Sequence, residues 1–500
     1  MNKLLFHPKT SIALIFVILL TFFSTYKLIL IEDGLSTFKK TIDGTPILIT
    51  EPAIQSQDIV FIAHGFAGST SFMRPIAVAL ARAGYKTIRY DFLGHGRHSK
   101  PYSGDITTTE GATQLFLDQT NKIINHYFDE NKLSRGVIIG HSMASDIIFR
   151  AALTNNKIIS SIGISNYTDV IEKNKPDNVF ILNGQWESHL RKKGLNILSN
   201  IGIKNPQENT LYGSIETGTA RKVTSVTNAD HVGILYSRQT QEELIQWVDS
   251  VFKNKNIIRT NAIGVWTSIL LLSLFSGFCL SIRFLPLINF EKIKIPSKPV
   301  PIVMVLAGVS TPLLLNFHFL SFTSFPAHDY LINHLILFSV IMCLVFPKDA
   351  LKLVLKNFNL AITVPLFIFY TLIFGSVLDK YVSSFYPTGF RIPLFFLLLL
   401  GCIPISIIIQ MLHGAHNRAW IKATLAKSIL ILSLSLAIVL NFEELFLLAY
   451  AILLLIAFFF VFGFLSNYLD KRLSNPFSIG LANGVSLAWT LATAIPLYMT

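Results

Sequence analysis

The chain has 500 residues, of which 51% are hydrophobic and only 14% charged, and its mean hydropathy of +0.53 excludes a single soluble globule and places much of it in lipid. A net charge of +13 would suit a nucleic-acid partner if it were concentrated in water-facing sequence. It is not, because residues 40–258 hold 23 basic and 20 acidic side chains, so nucleic acid is excluded as the expected partner.

In chain order, residues 1–36 read as an N-terminal transmembrane anchor. Lys3 and Lys9 precede an apolar run over about 12–31, close to the roughly 20 residues a bilayer core requires. No small-x-small cleavage pattern follows Phe23, and apolar residues resume past Lys27, so the segment is expected to stay attached rather than leave as a signal peptide.

Residues 37–258 read as a globular domain in which short β-rich runs alternate with helical patterns, the order of an α/β fold with a mostly parallel sheet. Strands are predicted over Ile59–Ala63, Thr87–Asp91, Gly136–Ile139, Ile158–Ile164, Val179–Leu182 and Lys222–Val226. Helices are predicted over Met73–Ala83, which stops at Gly84, then Thr109–Phe128, Ser145–Leu153 and Gln241–Phe252. Cys279, Cys343 and Cys402 all fall later in the chain, so this domain holds no disulfide and at its size needs none.

Residues 259–500 read as an all-α, multi-spanning membrane domain with about eight helices, near 262–282, 300–320, 330–346, 360–378, 392–412, 426–440, 445–465 and 478–498. With the first span this makes about nine. Basic residues cluster in alternate loops (Arg283, Lys292, Lys294 and Lys298; Lys348, Lys352 and Lys356; Arg418, Lys422 and Lys427; Lys471 and Arg472), whereas residues 321–329 and 441–444 contain none. By the positive-inside rule the N-terminus is cytoplasmic and the globular domain lies outside the cytoplasm. Lys380 and Arg391 run against the pattern. The expected setting is a bacterial inner membrane.

The residues that carry chemistry lie in the globular domain. Gly140-His141-Ser142-Met143-Ala144 joins a predicted strand to a predicted helix, the setting in which a serine hydroxyl is presented as a nucleophile. Ala144 stands where glycine is usual, and alone the motif reads equally as a plain turn serine. His64-Gly65-Phe66 ends an earlier strand, so the backbone N–H groups of Phe66 and Met143 are the expected oxyanion donors, with His64 itself structural. His231, in Ala229-Asp230-His231-Val232-Gly233 after the last strand, is the expected base. His95, His98, His141 and His189 are worse placed. Glu187, after the strand at 179–182, is the expected acid, with Asp169 as the alternative and a surface carboxylate as the plain reading.

From Phe61 to Leu153 the sequence resembles the monoacylglycerol lipase and serine aminopeptidase branch of the α/β-hydrolase superfamily, through Gly140-His141-Ser142-Met143 and through Asp91-Phe92-Leu93-Gly94-His95-Gly96-Arg97-His98-Ser99, a D-x-x-G-H-G-x-S loop with one inserted residue. The resemblance implies an α/β-hydrolase fold and serine-dependent cleavage or transfer of an acyl group, with no metal or organic cofactor. It covers none of the later spans and does not choose ester over amide. About a dozen residues separate Asn166 from Val179, so any lid there is small, and residues 188–220, rich in Gly, Asn and Lys, are expected to form a partial rim. Tethering to a bilayer points to a lipid or envelope-associated acyl substrate near the membrane surface. The alternatives are an acyltransferase, or a transporter or receptor-like protein whose globular domain only binds a ligand. His318, His328, Asp329 and His334 match no metal-ligand spacing and read as interfacial side chains satisfied by water.

Overall fold

The computed structural model describes residues 8–54, 56–105, 108–130, 135–285, 299–350, 352, 355, 358–413 and 419–499. Lys3, Lys292, Lys294, Lys298, Lys356 and Arg418, on which part of the charge pattern rests, lie outside them. The chain divides into two compact units, one of residues 23–268 with 379–384, the other of residues 1–22, 269–378 and 385–500.

In the first unit a nine-stranded sheet is assembled from β1 (Leu35–Ile42), β2 (Thr45–Pro52), β3 (Ile59–Ala63), β4 (Lys86–Tyr90), β5 (Gly136–His141), β6 (Ile158–Ile164), β7 (Val179–Gly184), β8 (Leu211–Tyr212) and β9 (Arg221–Val226). Their order across the sheet is β1-β2-β4-β3-β5-β6-β7-β9-β8. The central run from β4 through β9 is parallel, and antiparallel strands flank it at both ends. β3, β5 and β7 are buried on both faces, as strands covered by helices must be.

The helices of this unit are α2 (Arg74–Arg82), α3 (Gln114–Glu130), α4 (Met143–Thr154), α5 (Ser188–Asn200) and α6 (Arg238–Phe252), preceded by α1 (Pro8–Ile31), which runs in from the other unit. One core layer holds Val60, Ile62, Val137, Ile139 and Ile162 of the sheet against Ile76, Leu80, Leu244 and Val248 of α2 and α6. Trp247 of α6 stacks on Phe180 at 4.8 Å and donates its indole N–H to Ser160 Oγ at 2.9 Å, so the polar end of a large buried ring is satisfied.

Three features depart from the sequence expectation. The β1-β2 hairpin was not foreseen, because β1 is exposed along most of its length and carries no alternating apolar face. The helix expected from Thr109 begins with a π-helical turn containing Gly111 in a non-helical conformation, and becomes regular only at Gln114. Within the segment 188–220 expected as a partial rim, residues 188–200 form helix α5, which buries Ile197 and Leu198. Its Gly194 faces Val223 of β9 so closely that a Cβ would lie 3.0 Å from Val223 Cγ1.

The second unit is helical, with α7 (Ile263–Ser281), α8 (Pro299–Leu315), α9 (Pro326–Met342), α10 (Leu360–Tyr381), α11 (Arg391–His413), α12 (Ala419–Leu440), α13 (Leu448–Leu473) and α14 (Pro476–Ala494). Among the described residues eight helices are long and apolar enough to cross a membrane, namely α1, α7, α9 to α11, α13 and α14, together with Trp420–Leu440 of α12. The ninth expected span, α8, is 17 residues long, whereas α9 reaches 20 residues with the turn that continues it to Val345. Pro365 in α10 is followed by a π-helical turn over Ile368–Ile373, an irregularity of the kind that absorbs a missing N–H.

His328, Asp329 and His334 are not water-satisfied interfacial groups. They are buried, because α9 packs within the core of this unit on Leu398, Cys402 and Leu430, and only His318 is exposed. Asp329 accepts hydrogen bonds from the N–H groups of Phe322 and Thr323 and from Thr323 Oγ1, while His334 Nε2 lies 3.0 Å from Ser433 Oγ. No three ligating side chains among the described residues gather closely enough to hold a metal.

Candidate active site

All five expected site residues lie just beyond the carboxyl ends of parallel strands, where crevices in open α/β sheets form. Phe66 follows β3, Ser142 and Met143 follow β5, Glu187 follows β7 and His231 follows β9. Ser142 sits at the reversal from strand to helix with φ 53° and ψ −120°, a conformation sparsely populated by residues with a side chain. The turn is fastened from three directions: Ser142 N–H donates to Ile164 O at 2.9 Å, and Ser142 O accepts from Ser145 N–H at 2.8 Å and Ser145 Oγ at 2.6 Å. Gly140 is indispensable to it, since a Cβ there would lie 2.6 Å from Ala144 O and 2.8 Å from Ile148 Cγ1. Ala144 is buried in the first turn of α4, so its methyl, where glycine is usual, fits.

His231 Nδ1 lies 2.6 Å from Glu187 Oε1, and His231 Nε2 lies 2.9 Å from Ser142 Oγ. A carboxylate only accepts hydrogen bonds, so Nδ1 carries the imidazole proton and Nε2 is left to accept from the serine hydroxyl. Glu187 is tightly held: its Oε2 accepts from Gly184 N–H at 2.6 Å and from Ser165 Oγ at 2.8 Å, and its side chain is 7% exposed. Burial alone would raise its pKa, but the hydrogen bonds from His231, Gly184 and Ser165 outweigh that and hold it below the ordinary carboxylate value. The alternative acid, Asp169, is exposed and no hydrogen bond joins it to His231. Asp230 caps the turn after β9, accepting from the N–H groups of Val232 and Gly233.

The other histidines are used structurally. His64 is fully buried; its Nε2 accepts from Phe92 N–H at 3.1 Å, so Nδ1 donates to Gly65 O at 2.7 Å. His95 and His98 are buried against the carbonyls of Leu93 and Lys100, and His189 is exposed on α5. His141 Nε2 donates to the carbonyl of His231 at 2.8 Å, fixing the backbone of His231. Neither that contact nor the Ser165 hydroxyl under Glu187 has a signature in the sequence. Gly65 runs against the serine turn, where a Cβ would lie 3.0 Å from Ser142 Cβ. The N–H groups of Phe66 and Met143 have no acceptor among the described residues.

Six residues from much later in the chain belong to this unit. Asp379 pairs with Arg97 at 2.6 Å, and its carbonyl accepts from Ser71 Oγ at 2.6 Å. Ser384 N–H donates to Ser69 Oγ at 3.1 Å, Lys380 lies 3.4 Å from Glu32, and Arg74 stacks on Tyr381 at 5.4 Å. Asp91 links the two loops so gripped, accepting from Thr70 N–H at 2.7 Å and Arg97 N–H at 3.0 Å. Segment 379–384 therefore fastens both the loop after Phe66 and the loop after β4.

Residues 54–256 match a family model described as serine aminopeptidase, S33. This part of the chain has an α/β-hydrolase fold. An epoxide hydrolase of Caballeronia sordidicola is 28% identical over 123 residues, 25% of this chain and 34% of that protein. The chain thus spans about a third of the length of that curated relative. Among solved structures, a CIB-like hydrolase from Thermoplasma acidophilum is 17% identical with a TM-score of 0.32, covering 43% of this chain and 98% of that one. A soluble variant of monoglyceride lipase from Saccharomyces cerevisiae is 14% identical with a TM-score of 0.32, covering 43% and 94%.

Two measurements follow from this geometry. An unfolded imidazole takes up a proton below about pH 6.5, whereas burial, chiefly, lowers the pKa of His141 to about 4. The unfolded state therefore binds the extra proton across that interval, so stability rises with pH through it, at most about 1.4 kcal/mol per pH unit for this group. Thermal unfolding of His141→Gln followed from pH 4 to 7 should show a shallower slope than the parent, and an equal slope would refute the assignment. Asp379→Asn should cost about 1–3 kcal/mol of stability. The double variant Arg97→Asp with Asp379→Arg should recover part of it if the ion pair, rather than either side chain alone, is what matters.

Proposed function

We propose that the chain is a membrane-bound serine hydrolase that cleaves an ester or amide through an acyl-enzyme, esterase- or lipase-like, on a lipid or envelope-associated substrate. The observation carrying this reading is the unbroken hydrogen-bond chain from Ser142 Oγ through both nitrogens of His231 to Glu187. Further support comes from the apolar side chains beside it. Phe66, Tyr167, Trp186 and Val232 are exposed, and Phe66, Trp186 and Val232 respectively follow Gly65, precede Glu187 and follow His231. Exposed apolar groups around such a site suit an acyl chain.

In the first half-reaction His231 Nε2 accepts the proton of Ser142 Oγ as that oxygen attacks the substrate carbonyl carbon. The carbonyl oxygen becomes an oxyanion and takes hydrogen bonds from the N–H groups of Phe66 and Met143. Collapse of the tetrahedral intermediate breaks the bond to the alcohol or amine, which leaves with the proton from Nε2. A water then attacks the Ser142 ester with His231 again as base, releasing the carboxylic acid and restoring the serine. Glu187 keeps the proton on Nδ1 and stabilises the imidazolium in both halves without taking the proton itself. Because its pKa lies below the ordinary range, Glu187 remains ionised through neutral pH.

The membrane part of the reading rests on the eight long apolar helices and on the alternation of basic loops. It sets the α/β-hydrolase domain outside the cytoplasm, between the first and second spans, in a bacterial inner membrane.

Labelling of the full-length protein by a fluorophosphonate should modify Ser142, and should vanish in Ser142→Ala and His231→Ala. An unlabelled parent protein sinks the catalytic reading. Glu187→Gln places an amide NH2 against the N–H of Gly184 and the hydroxyl of Ser165, and should lower kcat by roughly 10³–10⁴. For topology, a reporter fused at Lys294 should be active in the cytoplasm and one at Lys157 should not, and the reverse result would overturn the assigned orientation.

A further inference from the structure

Within the helical unit, a cavity opens among α11, α12, α13 and α14 near the end of the bundle where α11 stops at His413 and α14 begins at Pro476. Measured out to its mouth it encloses about 300 Å³. Gln410, His413, Lys427 and Asn483 supply its polar wall, and Phe458, Phe459 and Phe462 of α13 line the other side.

The polar wall is unsatisfied in a particular way. Gln410 is 1% exposed, and among the described residues neither its Nε2 nor either ring nitrogen of His413 has a partner. Lys427 forms no hydrogen bond or ion pair among the described residues, and no carboxylate lines the cavity. Its ammonium rests over Gly463, where a Cβ would lie 2.5 Å from Nζ, and 5.5 Å from the ring of Phe459. Facing these donors are two acceptors, the unprotonated nitrogen of a neutral His413 and Asn483 Oδ1. Ser466 Oγ donates to Phe462 O and accepts from Asn483 Nδ2, which leaves Asn483 Oδ1 without a partner among the described residues.

Unpaired donors in buried positions are costly, and an ionisable residue within a spanning helix marks function by default. The complement of this wall is a small anion that accepts from an ammonium and an amide and still has one hydroxyl to give to Asn483. A phosphate monoester monoanion meets each requirement, whereas a carboxylate would leave Asn483 Oδ1 unpaired. We propose that this cavity binds a phosphate monoester, Lys427, Gln410 and His413 donating to its oxygens and Asn483 accepting from its P–OH, with the phenylalanine wall taking an attached apolar tail. The site is independent of the hydrolase chemistry.

The test uses the full-length protein in an uncharged maltoside detergent, titrated calorimetrically with dodecyl phosphate, inorganic phosphate and dodecyltrimethylammonium. Saturable one-site binding of dodecyl phosphate is expected, weakened roughly ten-fold or more in Lys427→Met and Asn483→Ala, as loss of a charged or buried hydrogen bond implies. Lys427→Met replaces an unpaired ammonium by an apolar chain, so its melting temperature should hold or rise, which separates lost binding from lost folding. Dodecyl phosphate binding ten-fold tighter than inorganic phosphate identifies a lipid-type ligand; equal affinities identify free phosphate. The proposal is overturned if neither phosphate binds saturably, if the two variants bind as the parent does, or if the dodecyl cation binds as well as the dodecyl phosphate.

Discussion

A single backbone reversal governs the geometry of the candidate active site. Between β5 and α4 the chain turns at Ser142 through a conformation that a residue with a side chain adopts only when its surroundings impose it. Those surroundings are a neighbouring strand, which takes the Ser142 N–H through Ile164, and the first turn of α4, which closes on the Ser142 carbonyl. The Oγ is thereby held out from the sheet edge. Everything else at the site is arranged around that fixed point, including the Gly65 loop, which passes so near the turn that no side chain fits between them.

Glu187 and His231 reach Ser142 because β7 and β9 are neighbours in the sheet and both end at the same edge. Glu187 and His231 are 44 residues apart in sequence yet 2.6 Å apart in space. The hydrogen bonds to Glu187 from Gly184 and Ser165 do two things at once: they satisfy a buried carboxylate and they fix the oxygen that orients the imidazole. His141 completes the arrangement from below by holding the carbonyl of His231. His231 is thus positioned through its main chain as well as through its ring.

Much of this was legible from local sequence. Strands buried on both faces, such as Ile59–Ala63, announce themselves as short apolar runs bounded by turns, and Gly140 beside Ser142 marks a junction where little room exists. The β1-β2 hairpin had a signal too, since Asp43-Gly44 is a two-residue turn with φ of 48° and 81°. Lys39 and Lys40 hid it by breaking the apolar pattern on the exposed strand. Helix α5 was obscured by its composition, because glycine and asparagine in Ser188–Asn200 suggest loop while Gly194 in fact permits close packing on β9. Long-range contacts left no trace at all. Ser165 under Glu187, and the burial of His328 and His334, depend on which elements become neighbours, and a single sequence does not record that.

Segment 379–384 has an implication for how this gene can change. The α/β-hydrolase domain ends its last helix at Phe252, yet residues more than 120 positions later complete the grip on Arg97, Ser69 and Ser71. A break in the reading frame after that helix would release a protein with every strand and all of Ser142, His231 and Glu187, but with Arg97 stripped of its carboxylate partner. The two halves are therefore not modules that recombination can shuffle freely. Substitutions at Arg97 and Asp379 are expected to be inherited together, although they lie on opposite sides of several membrane-length helices in the linear map.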